Sequence, residues 1–321
     1  MEIIRLVEQS ELSVSQTLEE LGVPQSTFYR WYRRYREAGY EGLADCKPGP
    51  RQFWNRIPDE VREHVVEVAL EHPEQSSREV AWSITDHEGY FISESSVYRI
   101  LKANDLVTSP AFRLVSASDR FENPTTRVNE MWQTDFTQFK VIGWGWYYLC
   151  TVLDDFSRYI LAWRLASTMG TADVKATLDQ ALEMTGVTQV KVQHRPRLLS
   201  DNGPSFMSKP LHDYLKAHKI KHIRSTPYHP QTQGKIERYH RSMKNIVKLD
   251  TFYFPWDLET AIAAFVDYYN SQRYHEALDN LIPADAYFGR AEEVKSRRAQ
   301  IKQKTLQERR NINLQMASRF V

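Results

Sequence analysis

The apolar positions change period along the chain, and the change divides it. Val14, Leu18, Leu21 and Val23 recur at near-helical spacing, followed by Phe28, Trp31, Tyr32 and Tyr35. Between the two runs, Gly22 suits the left-handed end of one helix, and Pro24, Gln25 and Ser26 open the next. Two short helices joined by a tight turn containing glycine form a helix-turn-helix pattern. A second helical group follows. Val61, Val65, Val68 and Ala69 mark one helix, and Pro73 breaks it. Ser76 and Ser77 cap the next, which carries Val80, Ala81 and Ile84. Gly89 turns the chain into a third helix at Val97–Leu101. From Trp132 the period drops to two, so Gln133, Asp135, Thr137 and Phe139 share one face of a strand. Tyr147–Leu153 and Tyr159–Leu165 are continuous apolar runs, expected of strands covered on both faces. Ile142–Gly145 and Asp154–Ser157 supply the turns of a three-stranded meander. A helix over Thr171–Met184, a strand ending at Ser200, a helix over Pro210–Lys219, a strand over Lys221–Ser225 and a long helix from Gly234 follow. Trp256, Leu258, Ile262, Phe265, Val266 and Tyr269 predict one more helix, packed on the core.

This order predicts a multidomain chain. All-α helix-turn-helix domains occupy residues 1–44 and 59–107. An α/β domain with a mixed five-stranded sheet occupies 129–289, and a basic extension occupies 290–321. Residues 45–58 hold three prolines and one glycine and read as a linker, as do the aperiodic residues 108–128.

Composition changes this picture in two places. With 321 residues and 41% hydrophobic positions the chain has material for a core, which excludes global disorder. Forty-two basic against 41 acidic residues argue against a uniformly basic coat protein. Locally the balance is different. Lys209 to Lys248 hold ten basic and two acidic residues, and 290–321 hold nine and three. The second stretch reads as a helix or as an arm that orders on DNA. The two cysteines, Cys46 and Cys150, form no Cys-x-x-Cys pair, so a zinc finger is excluded and a disulfide framework is not expected. The histidines at 212, 218, 222, 229 and 240 lack regular ligand spacing. No apolar run reaches bilayer length and the start shows no signal-peptide core. A cytoplasmic, nucleoid-associated protein with no membrane partner is expected.

Candidate chemistry falls in two regions. The second helix of the first unit carries Arg30, Arg33, Arg34 and Arg36, with no acid from Leu21 to Arg36. Basic residues there suit DNA phosphates, and Ser26, Thr27 and Tyr29 near its start suit base edges. The alternative is an ordinary hairpin with a basic face. The second unit is less basic; Arg99 is its candidate DNA contact, and a packing or dimerisation module is the alternative. The other region is acidic. Asp135 lies inside a strand, Asp201 follows the fourth strand, and Glu237 opens the long helix, with 35 residues between the last two. Three carboxylates on adjacent elements suit two Mg²⁺ ions, which prefer oxygen ligands and support in-line displacement at phosphorus. Taken singly, Asp135 also reads as an edge-strand acid, Asp201 as a turn residue and Glu237 as a partner of Arg241. Lys235, Arg238, Arg241, Lys244 and Lys248 share the helix of Glu237, where phosphate contacts would give affinity without sequence choice. His229 lies in the preceding loop, placed for DNA. Asp154 reads as a turn acid bonded to Ser157.

Longer strings resemble a known family. Trp132-Gln133-Thr134-Asp135-Phe136-Thr137, Ser200-Asp201-Asn202-Gly203, His229-Pro230-Gln231-Thr232-Gln233-Gly234-Lys235-Ile236-Glu237-Arg238 and the stretch Tyr269–Leu278 with Pro283-Ala284 resemble the catalytic core of retroviral-integrase-like insertion-sequence transposases. The tandem helix-turn-helix units extend the resemblance over the whole chain. It implies an RNase H-like fold and Mg²⁺-dependent cleavage of DNA, with Mn²⁺ as a substitute. It also implies joining of the freed 3′-hydroxyl to target DNA. Asp135, Asp201 and Glu237 match the family's acidic triad, for catalysis and metal. Double-stranded DNA, as the ends of a mobile element and as target, is the implied partner, and work on two ends implies a dimer or more. A DNA-binding regulator with an inactive nuclease-like domain and a nuclease without strand transfer are the alternatives. The His-His-Cys-Cys zinc module of retroviral integrases is missing.

Overall fold

The computed structural model describes residues 2–44, 54–107, 125–187, 195–224 and 234–318. The chain divides into two compact units, Met1–Arg56 with Asn313–Val321, and Ile57–Ile312.

The first unit holds α1 (Glu2–Gln9), α2 (Val14–Glu20) and α3 (Gln25–Ala38). Ser13 opens α2 with a capping box closed by Gln16, which satisfies donors that a helix start leaves free. At Gly22, φ is +63°, a conformation that costs a residue with a Cβ and permits the tight turn into α3. Ile4, Val7, Leu18 and Phe28 form the core, and Tyr32 stacks on Phe28 at 5.6 Å.

The second unit begins with α4 (Asp59–Glu71), α5 (Ser77–Ser83) and α6 (Glu94–Ala103), packed through Val65, Val80, Ile84, Ile92, Val97 and Leu101. Its sheet has β1 (Met131–Val141), β2 (Gly145–Asp154), β3 (Ile160–Ala166), β4 (Arg197–Ser200) and β5 (Lys221–Arg224), in the order β3-β2-β1-β4-β5. The meander β1-β2-β3 is antiparallel, and β4 and β5 join parallel, so the expected mixed five-stranded sheet is present. One face is covered by α7 (Thr171–Thr185) and α8 (Lys209–Ala217), packed with Trp132, Cys150, Val152 and Leu198. The other is covered by α9 (Gly234–Val247) and α10 (Pro255–Ser271), packed with Phe139, Val141, Leu149 and Leu153. Because β1 pairs on both sides, an edge-strand reading of Asp135 is excluded. The short α11 (Pro283–Tyr287) and the long α12 (Ala291–Ser318) complete the chain.

Residues 59–107 lie in the same compact unit as the sheet. Glu79 accepts from the Tyr268 hydroxyl of α10 at 2.9 Å, and Arg78 pairs with Glu276 at 2.8 Å. Of the two readings of the basic extension, helix or arm, the structure has the helix through Ser318. Its arginines pack inside the unit, where Arg298 holds Asp86 through two bonds of 2.8 and 2.6 Å and lies 4.3 Å over the Trp82 ring. Arg309 donates to the Tyr90 hydroxyl at 2.7 Å, and both guanidiniums are buried. The helix lacks an apolar stripe because its contacts are charge pairs and cation–π stacks, which hydrophobic periodicity does not register.

Two polar residues of the sequence strings are structural. The Asn270 side-chain amide accepts from the Ile160 amide at 2.9 Å and donates to its carbonyl at 3.1 Å, which fastens α10 to β3. His275 is buried beside Tyr269, and burial with the nearby Arg273 and Arg158 charges pushes its pKa down to about 3. An unfolded chain protonates His275 below about 6.5, whereas the folded chain resists until about 3. Stability is therefore expected to fall as pH drops through that window, and His275→Phe to flatten this part of the acid limb. Urea midpoints of both proteins from pH 7 to 4 check this; parallel curves would refute it.

Candidate active site

Strand register builds the site. In the parallel pair of β1 and β4, Met131 stands opposite Arg197 and Gln133 opposite Leu199. The pairing ends there, with Asp135 two residues further along β1 and Asp201 just past the end of β4. Burial and then the neighbouring Asp135 charge raise the Asp201 pKa above the ordinary carboxylate range, countered by the Gly203 amide, which donates to Asp201 Oδ1 at 2.9 Å. Gly203 permits this approach, since a Cβ there would meet Asp201 Oδ1 at 3.0 Å. Asp135 is 22% exposed, and its Oδ2 lies 3.5 Å from His240 Nδ1 on α9.

Glu237 is exposed in the first turn of α9. His240 follows three residues later, on the same side of the helix, so the side that carries Glu237 is the one that reaches Asp135. The start of α9 is fastened at two consecutive residues. The Ile236 amide donates to Gln133 Oε1 at 3.1 Å, and the Lys235 ammonium lies 2.6 Å from Asp155 Oδ2. Gln133 also donates to Asp155 Oδ1 at 2.6 Å, closing the network. Thus α9 is anchored to β1 two residues before Asp135 and to the turn after β2.

The Lys235 side chain, expected to face DNA, is 9% exposed and pairs inward with Asp155, which is 2% exposed. Burial lowers the Lys235 pKa, and the Asp155 charge opposes the shift. The roles of Asp155, Gln133 and His240 were not read from sequence. For Gln133 the available signal was an amide inside the first string, and for Asp155 a second acid beside Asp154; for His240 it was the three-residue step from Glu237. Asp154 is the turn acid expected, accepting from the Ser157 amide at 2.9 Å and hydroxyl at 2.6 Å.

Arg238 and Arg241 are exposed on α9, while Lys244 is half-buried, its pKa lowered by burial and by Lys248. His229 lies outside the described residues. On α3, Ser26, Tyr29, Arg30 and Arg33 are exposed. Thr27 is half-buried, and the half-buried Arg34 donates to the Ala44 carbonyl at 2.9 Å, inside its own unit rather than outward. Arg99 is exposed on α6, its Nε donating to the Ser95 carbonyl at 3.0 Å.

Among the described residues, no three His, Cys, Asp or Glu side chains stand close enough to hold a metal ion. The donor chemistry fits a hard divalent cation nonetheless. Two carboxylates sit side by side, the charge of one opposes ionisation of the other, and an exposed third carboxylate opens the adjoining helix.

Models of the integrase core domain match residues 125–230 and 218–283. The chain carries an integrase core domain. Models of a homeodomain-like domain match residues 1–44 and 27–101 ahead of it. The chain is similar to the putative transposase InsK for insertion sequence element IS150 of Escherichia coli (strain K12), at 30% identity over 161 residues. That match spans 50% of this chain and 55% of the relative, so only about half of the relative's length is covered. The transposase for insertion sequence element IS629 of Shigella sonnei is 23% identical over 291 residues, 87% of this chain and 92% of that protein. The integrase core also resembles the HTLV-2 integrase catalytic core domain, solved in complex with magnesium, with 22% identity and a TM-score of 0.40. This covers 50% of this chain and 97% of that one. No described helix is long and apolar enough to cross a membrane.

Proposed function

We propose that the protein is a DNA transposase. It binds the ends of a mobile element, cleaves a strand and joins the freed 3′-hydroxyl to target DNA. The observation that supports this reading is that the Asp135 charge acts on Asp201, while His240, on the helix that carries Glu237, lies 3.5 Å from Asp135. Asp135, Asp201 and Glu237 would hold two Mg²⁺ ions, or Mn²⁺ in their place. When bound, such ions activate the attacking oxygen and stabilise the leaving one. The protein's own part is positional. Gln133 and the Asp155–Lys235 pair fix the first turn of α9, and His240 orients the Asp135 carboxylate. The exposed Arg238 and Arg241 bind phosphates of the incoming strand. The face of α3 reads element-end sequence, and pairing of two ends requires a dimer or more.

The test uses purified protein, labelled element-end DNA and Mg²⁺. Cleaved end and a joined product are expected. Binding without cleavage would leave a DNA-binding regulator; cleavage without joining would leave a nuclease. The two kinds of α9 cation also separate by salt dependence. Arg241→Ala is expected to reduce the slope of log affinity against log salt by about one, whereas Lys235→Met leaves the slope unchanged. Equal slopes for the Arg241→Ala and unmodified proteins would remove Arg241 from the interface.

A further inference from the structure

The two helix-turn-helix units present the same outward face. In α3 the exposed residues Ser26, Tyr29, Arg30 and Arg33 stand at the second, fifth, sixth and ninth positions of the helix. In α6 the exposed residues Ser95, Tyr98, Arg99 and Lys102 stand at the same four positions. Three of the four pairs are identical and the fourth exchanges one cation for another. Tyr29 and Tyr98 are 54% and 41% exposed. Positions i, i+3, i+4 and i+7 form one stripe on a helix, so the match is a match of surfaces.

The inward positions behave differently. Phe28 faces the core of its unit where Val97 faces the other, at 2% and 0% exposure. Trp31 stands at the position of Ile100 and Tyr32 at that of Leu101. Two helices kept alike only by a shared fold would agree first where they pack, because packing tolerates changes of volume least. Here packing residues differ and solvent-facing residues coincide, which is the pattern of a common ligand.

The chemistry of the stripe suits duplex DNA. Each face carries two cations and no acid, a tyrosine and serine hydroxyl, and an arginine one and a half turns into the helix, where a recognition helix meets base edges. We infer that α3 and α6 read the same short base sequence, so that each element end carries two copies of it. This rests on the proposed end-binding function and adds the form of the substrate.

The test selects duplexes from a random-sequence pool with the full-length protein and with Arg30→Gln and Arg99→Gln. Both residues are exposed, and thermal unfolding checks that folding is unchanged. The unmodified protein is expected to select two copies of one motif. Arginine pairs with guanine and glutamine with adenine in the major groove. Each variant should therefore change a guanine to an adenine at the equivalent position of a different copy, and bind the original DNA about tenfold more weakly. Selection of two unlike sequences, or an unaltered motif with Arg99→Gln, overturns the inference and leaves the transposase reading standing. Selection of no sequence at all overturns both.

Discussion

Asp201→Asn is expected to lower strand cleavage about 10²–10³-fold while leaving the protein folded. The substitution keeps the shape of the side chain and an oxygen for the Gly203 amide, now 2.9 Å away. What it removes is one of two neighbouring negative charges. Asp201 already sits above the ordinary carboxylate range through burial and the Asp135 charge, so neutralising it relieves the folded state. The thermal midpoint is therefore expected to stay level or rise as activity falls. That combination separates a lost metal ligand from a damaged fold. Cleavage within about tenfold of the unmodified protein would take Asp201 out of the site. A parallel loss of activity and stability would make it a structural turn residue.

Asp155→Ala is expected to be the most destabilising single change near the site, at about 3–5 kcal/mol. The residue accepts from Lys235, Gln133 and Thr125 at 2.6 Å each. Without it the Lys235 ammonium is left buried without its carboxylate. Removing one partner of a buried pair costs more than the pair contributes, because the remaining charge has no water to replace the loss. The double variant Asp155→Asn with Lys235→Met removes both charges of the pair and keeps an acceptor for Gln133. It should be more stable than Asp155→Ala by most of that cost. Urea unfolding followed by tryptophan fluorescence measures all three proteins. A loss under about 1 kcal/mol for Asp155→Ala would show that α9 is held mainly by its apolar face. The same network predicts a functional consequence: loosening the first turn of α9 displaces Glu237 and His240 together.

The strands and helices were legible because their signals are local. The alternating run from Trp132 became β1 with Asp135 on the α9 face, and the apolar runs after it became β2 and β3. Asp135 lies in β1, Asp201 just past β4 and Glu237 in the first turn of α9. What misled was charge counted along the chain. Ten basic residues between Lys209 and Lys248 read as one DNA surface, yet Lys235 points into the core while Arg238 and Arg241 face outward. A lysine's partner is set by which carboxylate the fold brings to it, and Asp155 is 80 residues away in sequence. The partners of the C-terminal helix were illegible for the same reason, since Arg298 meets Asp86 across 212 residues.

By itself, then, the sequence determined the order of elements, the mixed sheet and the two helix-turn-helix patterns. Each of these is written in periodicity or in a contiguous string. Only the tertiary structure decided that β1 is central, that Asp135 and Asp201 are neighbours, that Lys235 pairs inward with Asp155, and that 59–107 and most of α12 belong to the unit of the sheet. Periodicity reports which face of an element is buried. It carries no information on which distant polar group meets another there, because that pairing depends on register and packing between elements far apart in the chain.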